Sequence, residues 1–359
     1  MKLPIFTLTL LFFISLLAAC SHSVTNQQQL KSNQPASDPT TQANHVKEGT
    51  IATWQALWPL PERLRESSGL FCDNSLQQST YQGDATDAPF QMPVLFSHND
   101  SGHAAELFEL SWPQSVSDHH QVLPPNAAGV LHHPPTTSPQ LKSISTALAS
   151  TDIEAIAGNS QWLWLADIGN NAGQRSQLQL LPFDRRQQRW LAARTLTYHN
   201  FKQDAGRQKY QHDIDAEALV FNGENLVMFS KSWQSRQSHV YIIDPDAPAQ
   251  TLTVVTQTAT LPGVITDAAY DAVTQRYLLL GYRRFQDNLW SLLLHDNYQG
   301  FIAVLDQDFQ LLQLLHLPAS GQVEGICLDP QRRIWISQEQ SERRSAQLFL
   351  LGHMDMLMP

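Results

Sequence analysis

The 359-residue chain carries 33 acidic residues against 23 Lys and Arg, a net charge of −10, and its basic residues form no stripe or run. That balance lacks the electrostatic footprint of a nucleic-acid binder, and anionic polymers are poor partners for it. With 42% hydrophobic residues it has ample material for a core, and its three cysteines are too few for a disulfide-built scaffold.

Met1 and Lys2 precede an apolar run over 5–17 that ends in Leu17-Ala18-Ala19-Cys20. This has the form of a lipoprotein signal, with 1–19 removed and Cys20 carrying the acyl anchor. The run is shorter than the roughly 20 apolar residues of a membrane span. Ser21 in place of Asp after the cysteine points to the outer membrane, with the protein facing the periplasm. From 20 to 50 the chain is rich in Gln, Ser, Thr, Asn and Pro, which reads as a tether unable to bury enough surface to fold. Residues 51–359 read as one domain.

Within that domain one pair of segments recurs five times. The first member reads Glu66-Ser-Ser68-Gly69, Asp152-Ile-Glu154-Ala155, Asp215-Ala-Glu217-Ala218, Ile265-Thr-Asp267-Ala268 and Gln322-Val-Glu324-Gly325, each leading into an apolar run. The second is an apolar strand closing on Ser97-His98, Ala166-Asp167, Ser230-Lys231, Gly281-Tyr282 or Ser337-Gln338. In the last four repeats the anchors lie 13 to 15 residues apart, enough for two short strands and a turn, and in the first they lie 30 apart. Third apolar runs follow in every repeat, and fourth runs at 143–148, 194–198, 252–255 and 311–315 in all but the last. Four strands per repeat predict an all-β, five-bladed β-propeller, with the run at 51–58 supplying the last blade's missing strand and closing the ring. Splitting the long first repeat would give six blades.

Two insertions interrupt the repeats. The segment 113–140 holds Asp118-His119-His120 and His132-His133, and its prolines favour an exposed loop over a zinc site. The segment 283–298 could lie over one face as a lid or partner surface. Cys72 and Cys327 follow the first anchors of the first and last repeats, so they could form a disulfide or stay as two separate buried thiols.

Equivalent positions at the starts of innermost strands converge on a propeller's axis. That brings Glu154, Glu217, Asp267 and Glu324 together, with Ser68 at the fifth place. Asp167, Asn99 and Asp100 stand at or just beyond the second anchors. Crowded carboxylates must protonate, pair with a base or bind a cation, and an oxygen-only set favours calcium. The alternative is that they accept hydrogen bonds from backbone amides of the next blade. His98, Lys231 and Tyr282 are the candidates for proton shuttle, oxyanion partner and donor beside a metal. No Gly-x-Ser-x-Gly elbow or phosphate loop is present.

Glu66-Ser-Ser-Gly69, His98-Asn99-Asp100-Ser101-Gly102, Asp152-Ile-Glu154, Ala166-Asp167-Ile-Gly169-Asn-Asn171, Asp215-Ala-Glu217, Ser230-Lys231 and Glu324-Gly325-Ile326, taken in order, resemble the SdiA-regulated, YjiK-like five-bladed propellers. A looser resemblance runs to esterase-like and phytase-like propeller lipoproteins. The resemblance implies a propeller with a calcium site and no established activity; Asp267, where the pattern has Glu, departs from it. Two functions follow as expectations: a lipid-anchored, calcium-binding propeller that binds a small ligand or envelope partner, or a metal-dependent hydrolase of an ester, lactone or phosphoester.

Overall fold

The computed structural model describes residues 46–73, 92–100, 105–112, 138–199, 201–202, 207–284, 298–342 and 344–356. The signal, Cys20, nearly all of the tether, the histidine-rich insertion and the 285–297 part of the second insertion lie outside them.

The innermost strand of every repeat is built from a run that buries both faces. Ile153–Gly158 reads Ile-Glu-Ala-Ile-Ala-Gly and is enclosed over its first five residues. Successive side chains of a strand point to opposite faces, and here each face meets a different neighbouring sheet. In the third repeat, Leu219 and Met228 pack toward the second, whereas Ala218, Val220, Val227 and Phe229 pack toward the fourth. The core is therefore divided into five apolar clusters, one at each junction between sheets. Each fully buried Leu or Phe in them contributes roughly 1.5–3 kcal/mol.

Five sheets arranged in a ring form a five-bladed β-propeller. Blade 1 comprises Ser67–Cys72, Leu95–Asn99, Glu106–Ser111 and Gln140–Ser145. Blade 2 is Ile153–Gly158, Trp162–Asp167, Gln177–Asp184 and Arg194–Tyr198, with Arg189–Trp190 beside its third strand. Blade 3 is Ala216–Phe221, Leu226–Ser230, His239–Ile243 and Thr256–Gln257. Blade 4 is Val264–Asp271, Arg276–Arg284, Tyr298–Leu305 and Leu311–His316. Blade 5 is Val323–Leu328, Arg333–Gln338 and Gln347–His353, completed by Ala56–Pro59 from the start of the domain. The ring closes as the 51–58 run predicts, and the six-blade alternative is replaced by five sheets. Among the described residues the only helical turns are two short 3-10 segments.

Two outer edges are covered in a way the repeats did not announce. Ala249–Leu252 leaves blade 3 and pairs in parallel with Arg194–Tyr198 of blade 2, so the fourth strand of blade 3 is Thr256–Gln257 rather than 252–255. Lys47–Thr50, inside the stretch read as tether, pairs in parallel with Leu311–His316 of blade 4. Both segments satisfy backbone groups that an open edge would leave available to another chain.

Cys72 and Cys327 are disulfide-bonded, with their Cα atoms 5.5 Å apart. The bond joins the innermost strands of blades 1 and 5, and Ala56–Pro59, which completes blade 5, precedes blade 1 in the chain.

Candidate metal centre at the channel mouth

Innermost strands begin, and second strands end, at the same end of the central channel. Here the glycine after the blade 5 anchor has a steric reason: a Cβ on Gly325 would lie 2.8 Å from that of Leu70 in blade 1, so these strands approach closely only because none is there. Gly69 has φ +75° as well, a backbone that other residues rarely adopt.

A β-bulge at each anchor decides where the acids go. In blades 2, 3 and 5 the pairing of the first two strands skips Glu154, Glu217 and Glu324, whereas in blade 4 it skips Thr266 and leaves Asp267 in the ladder. A bulge re-aims the side chain it carries. The three glutamates are accordingly alike, only 4%, 3% and 6% exposed and grouped around the buried ammonium of Lys231. Lys231 forms an ion pair with Glu217 and lies 4.9 Å from the Trp233 ring centre and 5.6 Å from that of Tyr282.

One ammonium among three buried carboxylates leaves an excess of negative charge. Burial, then the Lys231 charge acting against it, leaves the Glu217 carboxyl raised to about 8. Burial and the neighbouring Glu217, Asp100 and Asp152 push Glu154 well above the ordinary range, and burial does the same to Glu324. Glu339, at the same mouth, is raised to about 7 by burial and by Asp100. Burial would lower Lys231, but Glu217, Tyr282, Glu324 and Glu154 together hold it well above its usual value. Burial also raises the Tyr282 hydroxyl well above its usual value.

At the rim above this group, one carboxylate oxygen each from Asp100, Asp152 and Glu154 lie within 4.8 Å of one another. Space for them comes from Gly169, where a Cβ would collide with the Asp152 carboxylate and sit 2.8 Å from Cγ of Glu154. The Asp152 loop is fixed from below by Asp167, which is fully buried. Its carboxylate accepts the amides of Thr151 (3.0 Å) and Asp152 (2.9 Å), Nη2 of Arg175 (2.6 Å) and Nε2 of Gln179 (2.8 Å). Ser68 Oγ reaches Oε2 of Glu154 at 3.5 Å.

Of the seven residues read as metal ligands, Glu154 and Asp100 meet at the rim, and Glu217 and Glu324 lie in the channel beside Lys231. The other three serve the backbone. Asp267 accepts the amides of Leu70 (3.1 Å) in blade 1, Ile326 (2.7 Å) in blade 5 and its neighbour Ala268 (2.8 Å), the inter-blade role that was the alternative for these acids. Asp167 holds the loop just described. Asn99 accepts the Glu66 amide (3.3 Å) and donates to the Arg63 carbonyl (2.8 Å). Asp152 belongs to the cluster without having been singled out as a ligand. The signal was weak because Asp215 occupies the same place before Glu217, and there it accepts Asn170 N (2.6 Å) and Trp233 Nε1 (2.7 Å).

The three residues read as catalytic are all enclosed. His98 has no exposed surface, its Nδ1 lies 3.1 Å from the Asn99 carbonyl, and burial lowers its pKa to about 4, so the ring is neutral. Its Nε2 is buried with no hydrogen-bond partner among the described residues.

No protein-family model and no curated protein matches the chain. Among solved structures it is similar, at 8% identity and TM-score 0.35, to a Kuenenia stuttgartiensis hydrazine synthase chain, over 75% of this chain and 60% of that one. It is also similar to U3-55K at 11% identity and TM-score 0.32, over 79% and 68%, and to a chain of a mitotic checkpoint complex at 10% and 0.36, over 91% and 99%. The propeller assignment stands on the five sheets themselves.

Proposed function

We propose that this is a lipid-anchored cell-envelope propeller of the SdiA-regulated, YjiK-like kind, which holds a calcium ion at its channel mouth and uses that face to bind a small ligand or envelope partner. The observation that carries the reading is the convergence of Asp100, Asp152 and Glu154. Calcium takes oxygen ligands at 2.3–2.6 Å, so two ligand atoms of one ion lie no more than about 5 Å apart, and the three oxygens meet that limit. An all-carboxylate set suits calcium over zinc. The anchor at Cys20 rests on the signal pattern, and the Cys72–Cys327 bond supports an oxidising compartment. The hydrolase alternative has no observation in its favour: Lys231 is taken up by Glu217 and His98 is enclosed.

Titration calorimetry of chelator-treated protein with calcium, magnesium and zinc tests the site. Calcium binding that disappears in Asp152→Asn plus Glu154→Gln is expected; binding that survives the double substitution, or no binding, refutes it. Palmitate labelling of cells, lost in Cys20→Ala, tests the anchor.

A further inference from the structure

Four partly or fully buried arginines, Arg175, Arg185, Arg332 and Arg333, each pair with an aspartate, as an acidic chain readily allows. Arg207 does not. It stands on the connection from blade 2 to blade 3, where its guanidinium donates to the carbonyls of Gly173 and Lys202 (3.2 Å) and lies 5.8 Å from the Phe201 ring centre. Gly173 has φ +66°, and a Cβ there would collide with the Arg207 side chain. The guanidinium is thus held in place by glycine, carbonyls and an aromatic face. A guanidinium offers five N–H donors, and two carbonyl contacts leave donors over.

Arg207 forms one wall of a groove of about 500 Å³ between blades 2 and 3. Tyr198, Phe201 and Tyr241 give it an aromatic floor, Val254 (41% exposed) an apolar lip, and Lys202 a second cation. Among the described residues no carboxylate lines it and none pairs with Lys202 or Arg207. In a chain of net charge −10, a pocket with a pre-positioned guanidinium and no carboxylate among its described lining residues is complementary to an anion, and its floor to a flat apolar body.

We propose that this groove binds a small amphipathic anion, an aromatic or similarly flat apolar body bearing one carboxylate, with the carboxylate on Arg207 and Lys202 and the body on Tyr198, Phe201 and Tyr241. The site is separate from the acidic channel mouth and does not depend on calcium.

The test is calorimetric titration of the full chain with 2-naphthoate and with its neutral counterpart 2-naphthylmethanol, on the native protein and on Lys202→Gln, Arg207→Gln and Val254→Trp. Naphthoate is expected to bind at least about tenfold more tightly than the alcohol, in line with a charge-assisted pair in a partly desolvated site. Lys202→Gln and Arg207→Gln should each weaken it several-fold, and Val254→Trp should block it. Arg207 also supports two carbonyls, so thermal unfolding checks that variant; Lys202 contributes only its main chain to those contacts, and its substitution decides the matter if Arg207→Gln is unstable. Equal affinity for acid and alcohol, unchanged binding in Lys202→Gln and Val254→Trp, or no binding up to about 5 mM naphthoate would each overturn the proposal.

Discussion

The same five innermost strands line both ends of the channel, and the two ends are chemically opposite. At the mouth, bulges turn glutamates toward the axis, and aspartates from the flanking loops join them. At the far end the strands finish on Phe71, Cys72, Ala157, Val220, Ala269 and Cys327, which line a pocket of about 80 Å³. The contrast teaches that the ring separates its tasks along one axis: apolar convergence and a covalent bond keep it closed at one end, while the other gathers charge.

Cutting the staple at the closed end is expected to have the largest effect. Cys72→Ala with Cys327→Ala should lower stability by roughly 3–5 kcal/mol, because the bond spans 255 residues. Urea unfolding with and without reductant measures it, and reductant should leave the variant unchanged. Next in size is Asp267→Ala, which strips a carboxylate from three amides in three blades. A loss of about 3 kcal/mol is expected by the same measurement, whereas Asp100→Asn at the mouth should cost far less.

Mouth charges make a prediction of a different kind. Glu217 and Glu339 have folded-state pKa values of about 8 and about 7, against 4.5 without the fold, and Glu154 and Glu324 are raised in the same direction. The cation-free folded state therefore binds more protons than the unfolded chain between pH 4.5 and about 8, and its stability falls as pH rises through that window. Melting temperatures of chelated protein should drop across it by several degrees. Calcium at about 100 times its Kd should restore roughly 2.7 kcal/mol at the upper end and flatten the profile. A flat profile without calcium would mean that the channel acids are already neutralised.

The smallest expected effect concerns the outer rim. Deleting 46–50 removes the parallel strand from blade 4 and should cost about 1 kcal/mol, with the ring still closed by Ala56–Pro59.

Much of this architecture was legible in the sequence because its signals are local. The paired anchors located the first two strands of every blade, and the run at 194–198 coincides with the fourth strand of blade 2. What escaped depends on contacts between blades or on one-residue shifts of register. Ala249–Leu252 reads as any strand of blade 3 and gives no sign that its partner lies in blade 2. Asp267 and Glu324 look equivalent, yet a bulge displaced to Thr266 sends one to backbone amides and the other to Lys231. A readable signal also went unused: Asn159, Asn222, Asp271 and Asp329 follow or end the innermost strands of blades 2 to 5. Each accepts backbone amides two or more residues on, as Asx turns do.

The parallel pairing of Lys47–Thr50 with Leu311–His316 also has a mechanical meaning. Any pull on the chain ahead of Lys47 is taken first by that short strand, lying along the flank of blade 4, before it reaches Ala56–Pro59 in blade 5. The first strand can peel away under load while the ring keeps its closing strand, so it yields before the ring is breached.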